Sequence, residues 1–263
     1  MSHLAKDGRW LSAIATAMVF GALVTLSWSW AIGRRTAVHT AKAAPPLIAL
    51  TFDDGPSPRY TPEILALLTR YHAHATFFVL GSELARFPNL ARDIVRQGSV
   101  LANHGYNHVN LFRVGAQGAW RDAERTQALF AREHLPLTPF YRPPFGNSSP
   151  QLVRTLNEHG YTVVLWSVDT RDWAMPGTTF ITRRVLSQSK PGAIILMHDS
   201  GGNRSQTVQA LAAILPVLEA EGYHLVTLPE YVAHLHIHTP TELPLKPAPA
   251  SPTHPPAAPS ALT

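Results

Sequence analysis

Two adjacent carboxylates, Asp53 and Asp54, end the apolar segment Leu47–Phe52 and are followed by Gly55-Pro56. The segment is predicted to be a buried strand, because it is a short run of apolar and β-branched residues bounded by a Gly-Pro turn. Two neighbouring carboxylates repel each other, so placing both at the end of a core strand is costly without a partner. A metal ion would remove that conflict by taking one carboxylate as a ligand and leaving the other as a base. The alternative is a turn in which the acids cap the following helix.

Two histidines four residues apart, His104 and His108 in the segment HGYNH, could bind the same ion. Side chains at positions i and i+4 of a helical turn project from one face. This spacing is a weak signal alone. Combined with an Asp at a strand end, it supplies two imidazoles and a carboxylate with an open position for water. That ligand set is typical of a catalytic rather than a structural zinc site.

The elements that must position these residues alternate between short apolar runs and longer helical patterns, which predicts an α/β fold with a mostly parallel sheet. The predicted strands are Leu47–Phe52, Ala75–Leu80, Ser99–Ala102, Phe140–Arg142, Thr162–Val168, Ala193–Met197 and His224–Thr227. The predicted helices are Pro62–Tyr71, Asn89–Gln97, Ala116–His134, Pro150–His159, Thr179–Ser189, Ser205–Glu221 and Pro229–Leu235. Such a set of strands fits an open doubly wound sheet or a small, incomplete barrel, and the pattern alone does not choose between them.

Polar residues follow five of the predicted strands, and parallel α/β folds build their sites at the carboxyl ends of strands. Packing alone would not place titratable or hydrogen-bonding groups after so many separate strands. We therefore expect one site to be formed by the residues Asp53-Asp54, His104, Arg142, Asp169 with Asp172, and His198.

Charge is distributed unevenly along the chain. Residues 1–44 hold five Lys or Arg and one acid, whereas residues 45–235 hold sixteen and fifteen. A nearly neutral central domain argues against a nucleic-acid groove, which needs clustered basic residues. The chain has no cysteine, which excludes disulfides, thiolate chemistry and Cys-ligated zinc. We predict a catalytic domain over residues 45–235 and a disordered, Pro-rich tail over residues 236–263.

The N-terminal flank contains 23 residues without a charge, Leu11–Gly33. As a helix this segment would span about 35 Å, enough to cross a hydrocarbon core of about 30 Å. We predict that residues 1–44 form an uncleaved transmembrane signal anchor and a linker, so that the domain is exported if the N-terminus stays inside. The alternative is a secreted protein cleaved near Ala43, because residues 41–43 have the small-x-small pattern of a signal-peptidase site.

Five segments in this order, TFDDGP, HGYNH, RPPFG, DTRDW and LMH, resemble the five motifs of the polysaccharide deacetylases with a NodB homology domain (carbohydrate esterase family 4). The resemblance implies a distorted, incomplete (β/α) barrel. It also implies metal-dependent removal of acetyl groups from N-acetylated sugars in a β-linked polysaccharide. Export makes peptidoglycan the first expected substrate, followed by chitin-type or poly-N-acetylglucosamine glycans. The alternatives are an O-acetyl esterase acting on xylan or another acetylated glycan, and a non-catalytic glycan-binding protein.

The resemblance further implies that a divalent metal, usually zinc, is bound by Asp54, His104 and His108. It implies that Asp53 is the general base, because its carboxylate would take the proton of the attacking water. By the same resemblance, Arg142 orients the base Asp53. The alternative for Arg142 is a surface ion pair.

By the same resemblance, His198 is the general acid that protonates the leaving amine, and Asp172 fixes its tautomer and raises its pKa. The backbone N–H of Phe145 would donate to the oxyanion. Trp173 would offer a face for stacking on a sugar, and Leu196 would line the acetyl pocket. The structural alternatives are a helix cap for Asp172 and core packing for Trp173 and Leu196.

One position departs from the family pattern. The residue after the first metal histidine is commonly Ser or Thr, whose hydroxyl can brace the segment at residues 104–108 (the histidine loop), and here it is Gly105. Without that hydroxyl the histidine loop could be looser, and the effect of Gly105 on metal affinity is left open. No role is assigned to Asp169, and Asp199 could either support the site or cap the following turn.

Overall fold

The computed structural model describes residues 46–234. Within this range eight strands pair in parallel and are connected mainly through helices. The strands are β1 (Leu47–Asp53), β2 (Thr76–Val79), β3 (Val100–Asn103), β4 (Phe140–Tyr141), β5 (Thr162–Val163), β6 (Val168–Asp169), β7 (Ala193–His198) and β8 (His224–Val226). The α-helices are α1 (Tyr60–Arg70), α2 (Gly81–Arg86), α3 (Pro88–Arg96), α4 (Leu111–Arg132), α5 (Pro150–Glu158), α6 (Thr178–Gln188), α7 (Ser205–Ala220) and α8 (Leu228–His234). Two short 3₁₀ helices cover Pro144–Gly146 and Asp172–Ala174.

The strands form one sheet in the order β5-β4-β3-β2-β1-β7-β6. Strand β1 is central: its C-terminal half pairs with β2, while β8 pairs with its first residues, Leu47 to Ala49. Among the described strands no pairing joins β5 to β6, the two edges of the sheet. The architecture is therefore an incomplete (β/α) barrel, which confirms the predicted fold class.

The prediction of one strand over Thr162–Val168 is wrong. Its two ends form separate strands at opposite edges of the sheet, because β5 pairs with β4 and β6 pairs with β7. Residues 164–167 connect the two edges, and the backbone N–H of Ser167 donates to the carbonyl of Ile194 at 3.0 Å. A continuous apolar run is equally compatible with a buried strand and with a buried crossing segment, so the pattern could not reveal the break.

The side chains of β1 alternate between two hydrophobic layers, as the two-residue period of a strand requires. Ile48, Leu50 and Phe52 pack in the large cluster that also contains apolar residues of α1 and α7. Leu47 and Ala49 pack in a second cluster with inward-facing residues of β2, β3 and β7. This alternation places Asp53 on the same face of β1 as Leu47 and Ala49, at the carboxyl end of the strand.

The predicted helices are present, and one further helix was missed. Helix α2 has six residues, which is too short to show a helical period. Helix α4 contains the non-helical residue Gly115, with φ of 66°, so its regular part begins where the predicted helix Ala116–His134 begins. Helix α5 starts with Pro150 after Ser149, whose hydroxyl accepts from the Leu152 N–H at 3.2 Å.

Over residues 46–234 no helix combines the length and the apolar character that crossing a membrane demands. The predicted anchor at Leu11–Gly33 and the predicted Pro-rich tail lie outside the described residues.

Candidate active site

The carboxyl ends of neighbouring strands bring the predicted site residues to one end of the barrel. In the register of β1 and β7, Asp53 lies beside His198. Strands β3 and β4 end together, and the backbone N–H of Arg142 donates to the carbonyl of Asn103 at 3.1 Å. His104 therefore leaves β3 next to the point where Arg142 leaves β4.

Three side chains form a group that can hold a metal ion: the ligand atoms of Asp54, His104 and His108 all lie within 4.8 Å of one another. Asp54 Oδ1 is 3.5 Å from Nε2 of His104 and 3.4 Å from Nε2 of His108. This oxygen is buried and has no hydrogen-bond partner among the described residues. A buried carboxylate oxygen without a hydrogen bond is unfavourable, whereas one oxygen and two imidazole nitrogens suit a divalent cation such as zinc. The residues present therefore fit a metal site.

The backbone and the tautomers support this geometry. Asp54 and His108 have positive φ values of 76° and 53°, a conformation that is costly for residues with a side chain and is concentrated at functional sites. Nδ1 of His104 lies 2.7 Å from the carbonyl of Arg142. Nδ1 must carry the proton to donate to that carbonyl, which leaves the lone pair on Nε2, the nitrogen that faces Asp54.

The local charges favour a cation at this point. Burial would raise the pKa of Asp54, but His104, His198 and His108 outweigh that effect and lower it below its usual range. Burial disfavours the charged form of His104, yet Asp53 and Asp54 raise its pKa. The two carboxylates therefore attract positive charge, whether it is a proton or a metal ion.

Asp53 is buried and is held by the guanidinium of Arg142, which donates from Nη1 to Oδ1 of Asp53 at 2.7 Å. Oδ2 of Asp53 lies 3.7 Å from Nε2 of His104. Arg142 is completely buried, and its other acceptors are Thr51 Oγ1 at 2.8 Å and the carbonyls of Val164 at 3.3 Å and Leu165 at 3.2 Å. The ion pair fixes one carboxylate oxygen and leaves the other directed at the metal group. Arg142 is therefore a buried ion-pair partner and not a surface one.

His198 and Asp172 form a second pair of charged residues at the site. Nδ1 of His198 donates to Oδ1 of Asp172 at 2.7 Å, and Oδ2 accepts from the His198 backbone N–H and from Thr207 Oγ1, both at 2.8 Å. Burial disfavours the charged imidazole, but Asp172 outweighs burial and raises the pKa of His198 to about 9. His198 is therefore protonated at neutral pH, which is the state that a general acid needs.

Three further residues surround the site. Phe145 has φ of 61°, and its ring packs edge-on against His108 at 4.4 Å between centroids. Its backbone N–H has no acceptor among the described residues. The Trp173 ring is half exposed, whereas Leu196 is buried two residues before His198 and so lies on the same face of β7. The substrate roles of Phe145, Trp173 and Leu196 stay predictions.

The histidine loop is braced without the hydroxyl that the family commonly has at position 105. Oδ1 of Asn103 accepts from the backbone N–H of Gly105 at 2.8 Å, and Oδ2 of Asp122 accepts from that of Tyr106 at 2.6 Å. Sequence reasoning missed both residues. Asn103 directly precedes His104, which is a local signal, but Asp122 is one of several acids on a long helix and carries none.

Asp199 supports the turn after β1. It is completely buried, and its Oδ2 accepts from Thr61 Oγ1 at 2.5 Å. Its carboxylate lies against Gly55, where an added Cβ would come within 2.2 Å of Oδ2. Burial raises the pKa of Asp199 to about 7, and the charge of Asp54 adds to that shift. Of its two predicted roles, the structure favours support of the Asp53-Asp54 turn.

Asp169 braces the turn that leads to Asp172. Its Oδ1 accepts from the backbone N–H of Arg171 at 2.9 Å, and its carbonyl accepts from the Arg184 side chain. The contact with the Arg171 backbone gives the Asp169 carboxylate a structural role at the start of the DTRDW segment.

Comparisons with known proteins agree with the fold. A family model described as polysaccharide deacetylase matches residues 40–164. A peptidoglycan-N-acetylglucosamine deacetylase of Bacillus cereus is 42% identical over 195 residues, covering 72% of this chain and 90% of that protein. A chitooligosaccharide deacetylase of Bradyrhizobium sp. is 37% identical over 196 residues, covering 70% of this chain and 89% of that protein.

Among solved structures, the fold is similar to that of a peptidoglycan N-acetylglucosamine deacetylase in complex with 4-naphthalen-1-yl-N-oxidanyl-benzamide. The TM-score is 0.71 at 36% sequence identity, and the match covers 73% of this chain and 91% of that one. The similarity therefore extends over about three quarters of this chain.

Proposed function

This chain belongs to the polysaccharide deacetylase family, and on that premise we propose that it hydrolyses the acetamide bond of N-acetylated sugars in a β-linked glycan, with peptidoglycan as the first candidate. One observation carries the proposal. A group suited to a metal adjoins a buried carboxylate held by Arg142 and shares one end of the barrel with a histidine held by Asp172. Amide hydrolysis needs these three functions together, namely an electrophile, a base and an acid.

We assign the metal site to Asp54, His104 and His108, and zinc is the first candidate because a set of two histidines and one carboxylate is typical of catalytic zinc. A divalent cation at this position polarises the substrate carbonyl and lowers the pKa of water. The carbonyl of Arg142 fixes the tautomer of His104, and the turn against Asp199 holds Asp54.

We assign the two proton transfers of the reaction to side chains of this protein. Asp53 takes the proton of the attacking water on Oδ2, since its Oδ1 is occupied by Arg142. His198 gives its Nε2 proton to the leaving nitrogen, because its Nδ1 is committed to Asp172. The two groups start from the adjacent ends of β1 and β7, where Asp53 and His198 are neighbours in the strand register.

Substrate contacts are assigned to the three residues around this centre. The backbone N–H of Phe145 donates to the oxyanion, since it has no acceptor among the described residues. The exposed ring of Trp173 stacks on a sugar, and Leu196 packs against the acetyl methyl group from the inner face of β7. An apolar wall beside the reacting carbon is consistent with an acetyl substituent.

We also propose that the domain, at about residues 45–235, works outside the cytoplasm and is anchored through the apolar segment Leu11–Gly33. Peptidoglycan lies outside the cytoplasmic membrane, so an exported domain is required for that substrate. The basic residues on both sides of the segment and its length of 23 residues support an anchor. A protein recovered from membranes with its N-terminus intact would support the anchor, and one recovered soluble after loss of residues 1–43 would contradict it.

The test of the function is acetate release by the full chain from a matched panel of N-acetylated and O-acetylated glycans, with and without a chelator. We expect release from peptidoglycan or N-acetylglucosamine oligomers, its loss on chelation, and its return with Zn²⁺. Release from O-acetylated substrates alone would replace the proposal with an esterase. Absence of release from every substrate by a protein that binds no divalent metal would favour a glycan-binding role.

A further inference from the structure

The histidine loop is fixed on one side by the start of helix α2. The backbone N–H of Gly81 donates to the carbonyl of Gly105 at 2.9 Å, and that of Ser82 donates to the carbonyl of Tyr106 at 3.1 Å. These bonds occupy carbonyl groups of the loop. The N–H of Gly105 donates to Oδ1 of Asn103, whereas the N–H of Tyr106 needs an acceptor from another element.

Helix α4 supplies the acceptor on the other side. Oδ2 of Asp122 accepts from the backbone N–H of Tyr106 at 2.6 Å and lies 3.5 Å from that of Asn107. These two residues lie between His104 and His108, so the carboxylate holds the part of the loop that separates the two imidazoles. The guanidinium of Arg125 stacks on the Tyr106 ring at 3.5 Å, which adds a second contact from α4.

Asp122 also explains why residue 105 is glycine. A Cβ at this position would come within 2.5 Å of Oδ2 of Asp122, and φ is 80°, a conformation that residues with a side chain rarely adopt. A side chain at position 105 and the carboxylate of Asp122 therefore exclude each other. The glycine creates the space through which the carboxylate reaches the backbone of the loop.

We propose that Asp122 is a positioning residue for the metal ligands: through its hydrogen bonds to the histidine loop, it sets the separation and direction of the His104 and His108 rings. This inference rests on the proposed metal site. His108 needs such support because it is the more exposed of the two histidines and has a strained backbone, with φ of 53°. Asp122 acts on the metal only through the loop and is not itself a ligand.

The test compares Zn²⁺ and Co²⁺ binding by the full chain after removal of metal. Asp122→Leu keeps a side chain of similar size but removes the acceptor. It should weaken Zn²⁺ binding by about 10- to 100-fold, the range found for residues that orient metal ligands. It should also change the visible absorption spectrum of bound Co²⁺, which reports ligand geometry. Asp122→Asn keeps an oxygen acceptor for the Tyr106 N–H and should stay close to the wild type in both measurements.

The matched control is Glu124→Gln, which removes an exposed acid from the same helix and should change neither property. A double-mutant cycle tests the link with Gly105. Gly105→Ala should weaken Zn²⁺ binding more in the wild-type background than in the Asp122→Ala background, where the clash with the carboxylate is gone. This comparison remains informative if Asp122→Leu does not fold.

The outcomes separate the two proposals. A wild-type chain that binds neither metal would overturn the proposed metal site. If the wild type binds Zn²⁺ and Co²⁺, and Asp122→Leu binds them equally tightly with the same Co²⁺ spectrum, only the role of Asp122 is overturned. Equal losses for Asp122→Asn and Asp122→Leu would also overturn it, because the effect would then come from charge and not from loop position.

Discussion

Replacing Asp172 with Asn should move the alkaline limb of the pH–activity profile, where activity falls at high pH, to lower pH. The reason is that the Asp172 carboxylate favours the charged form of His198. The pKa of His198 is raised from 6.5 to about 9 although burial acts in the opposite direction. At about 1.4 kcal/mol per pKa unit, the shift corresponds to about 3 kcal/mol in favour of the imidazolium. Asparagine still accepts from Nδ1 but carries no charge, so the pKa of His198 should fall towards 6.5, with Asp53 and Asp54 as the remaining charges that raise it.

The expected size follows from the fraction of His198 that is protonated. With pKa values of about 9 and 6.5, kcat of Asp172→Asn should be about tenfold below the wild type near pH 7.5 and less than about twofold below it near pH 6. A bound cation would lower the pKa of His198 in both the wild type and Asp172→Asn. The quantity to compare is therefore the distance, in pH, between the alkaline limbs of the two proteins. Acetate release across the pH range, with saturating Zn²⁺ and substrate, measures it.

Stability gives a second readout of the same pair in the metal-free protein. The pKa of His198 is higher in the folded state than in the unfolded state, so its pairing with Asp172 stabilises the fold fully below about pH 6.5, and this contribution is lost as the pH rises through about 9. The difference in unfolding free energy between the wild type and Asp172→Asn should shrink across that window.

The matched control is Asp169→Asn, since this nearby acid contacts the Arg171 backbone and not His198. It should leave the alkaline limb in place. A folded Asp172→Asn protein whose alkaline limb coincides with that of the wild type would refute the reasoning. So would an equal shift in Asp169→Asn.

Four further outcomes are expected. Asp53→Asn should abolish acetate release while Zn²⁺ binding by calorimetry persists, because the amide cannot take a proton but the metal ligands are intact. Arg142→Met should lower the free energy of unfolding in urea by about 3–5 kcal/mol, because it leaves the buried Asp53 carboxylate unpaired. Gly55→Ala should lower the melting temperature, because its Cβ would lie 2.2 Å from Oδ2 of Asp199; Asp199→Ser should relieve part of that loss. Zn²⁺ at a hundred times its Kd should raise the free energy of unfolding by about 2.7 kcal/mol, and a chelator should reverse the gain.

Each of these outcomes has a control or a contradicting result. Glu63→Gln, an exposed acid on α1, should keep wild-type activity, and an Asp53→Asn protein that also kept it would remove Asp53 from the mechanism. Adding Asp53→Asn to Arg142→Met should restore stability, because no buried charge is left, and a lack of recovery would contradict the ion-pair argument. For Gly55→Ala, an unchanged melting temperature would mean that the turn can shift away from Asp199. A melting temperature insensitive to Zn²⁺ would count against the metal site.

Much of the site could be predicted because it depends on local pattern and one topological rule. The apolar run of β1 ends at Asp53, and a parallel sheet gathers the ends of its strands at one side. Asp53, His104 and His198 could therefore be placed together without knowledge of any contact between them. The same rule placed Arg142 at the site, although its complete burial could not be seen from the sequence.

The remainder depends on contacts between distant elements, which leave no local signal. Asp122 lies in a helix with several other acids, and only the packing of α4 beside the histidine loop shows that its carboxylate faces Tyr106. Asp199 follows His198 directly, but its contact with Gly55 requires β7 and β1 to be adjacent. The break inside Thr162–Val168 was missed for a related reason, because both halves are apolar and only their pairing partners differ.

The hydrogen bonds of Arg142 connect the proposed base to the segment that joins the two edges of the barrel. On one side this guanidinium holds Asp53 on β1, and on the other it holds the carbonyls of Val164 and Leu165, in the segment that crosses between the unpaired edges β5 and β6. One side chain thus connects the crossing segment to the central strand. If Asp53 is the base, activity and the attachment of this segment depend on the same residue. An inactive variant for use as a folded substrate trap is therefore better made at Asp53 than at Arg142.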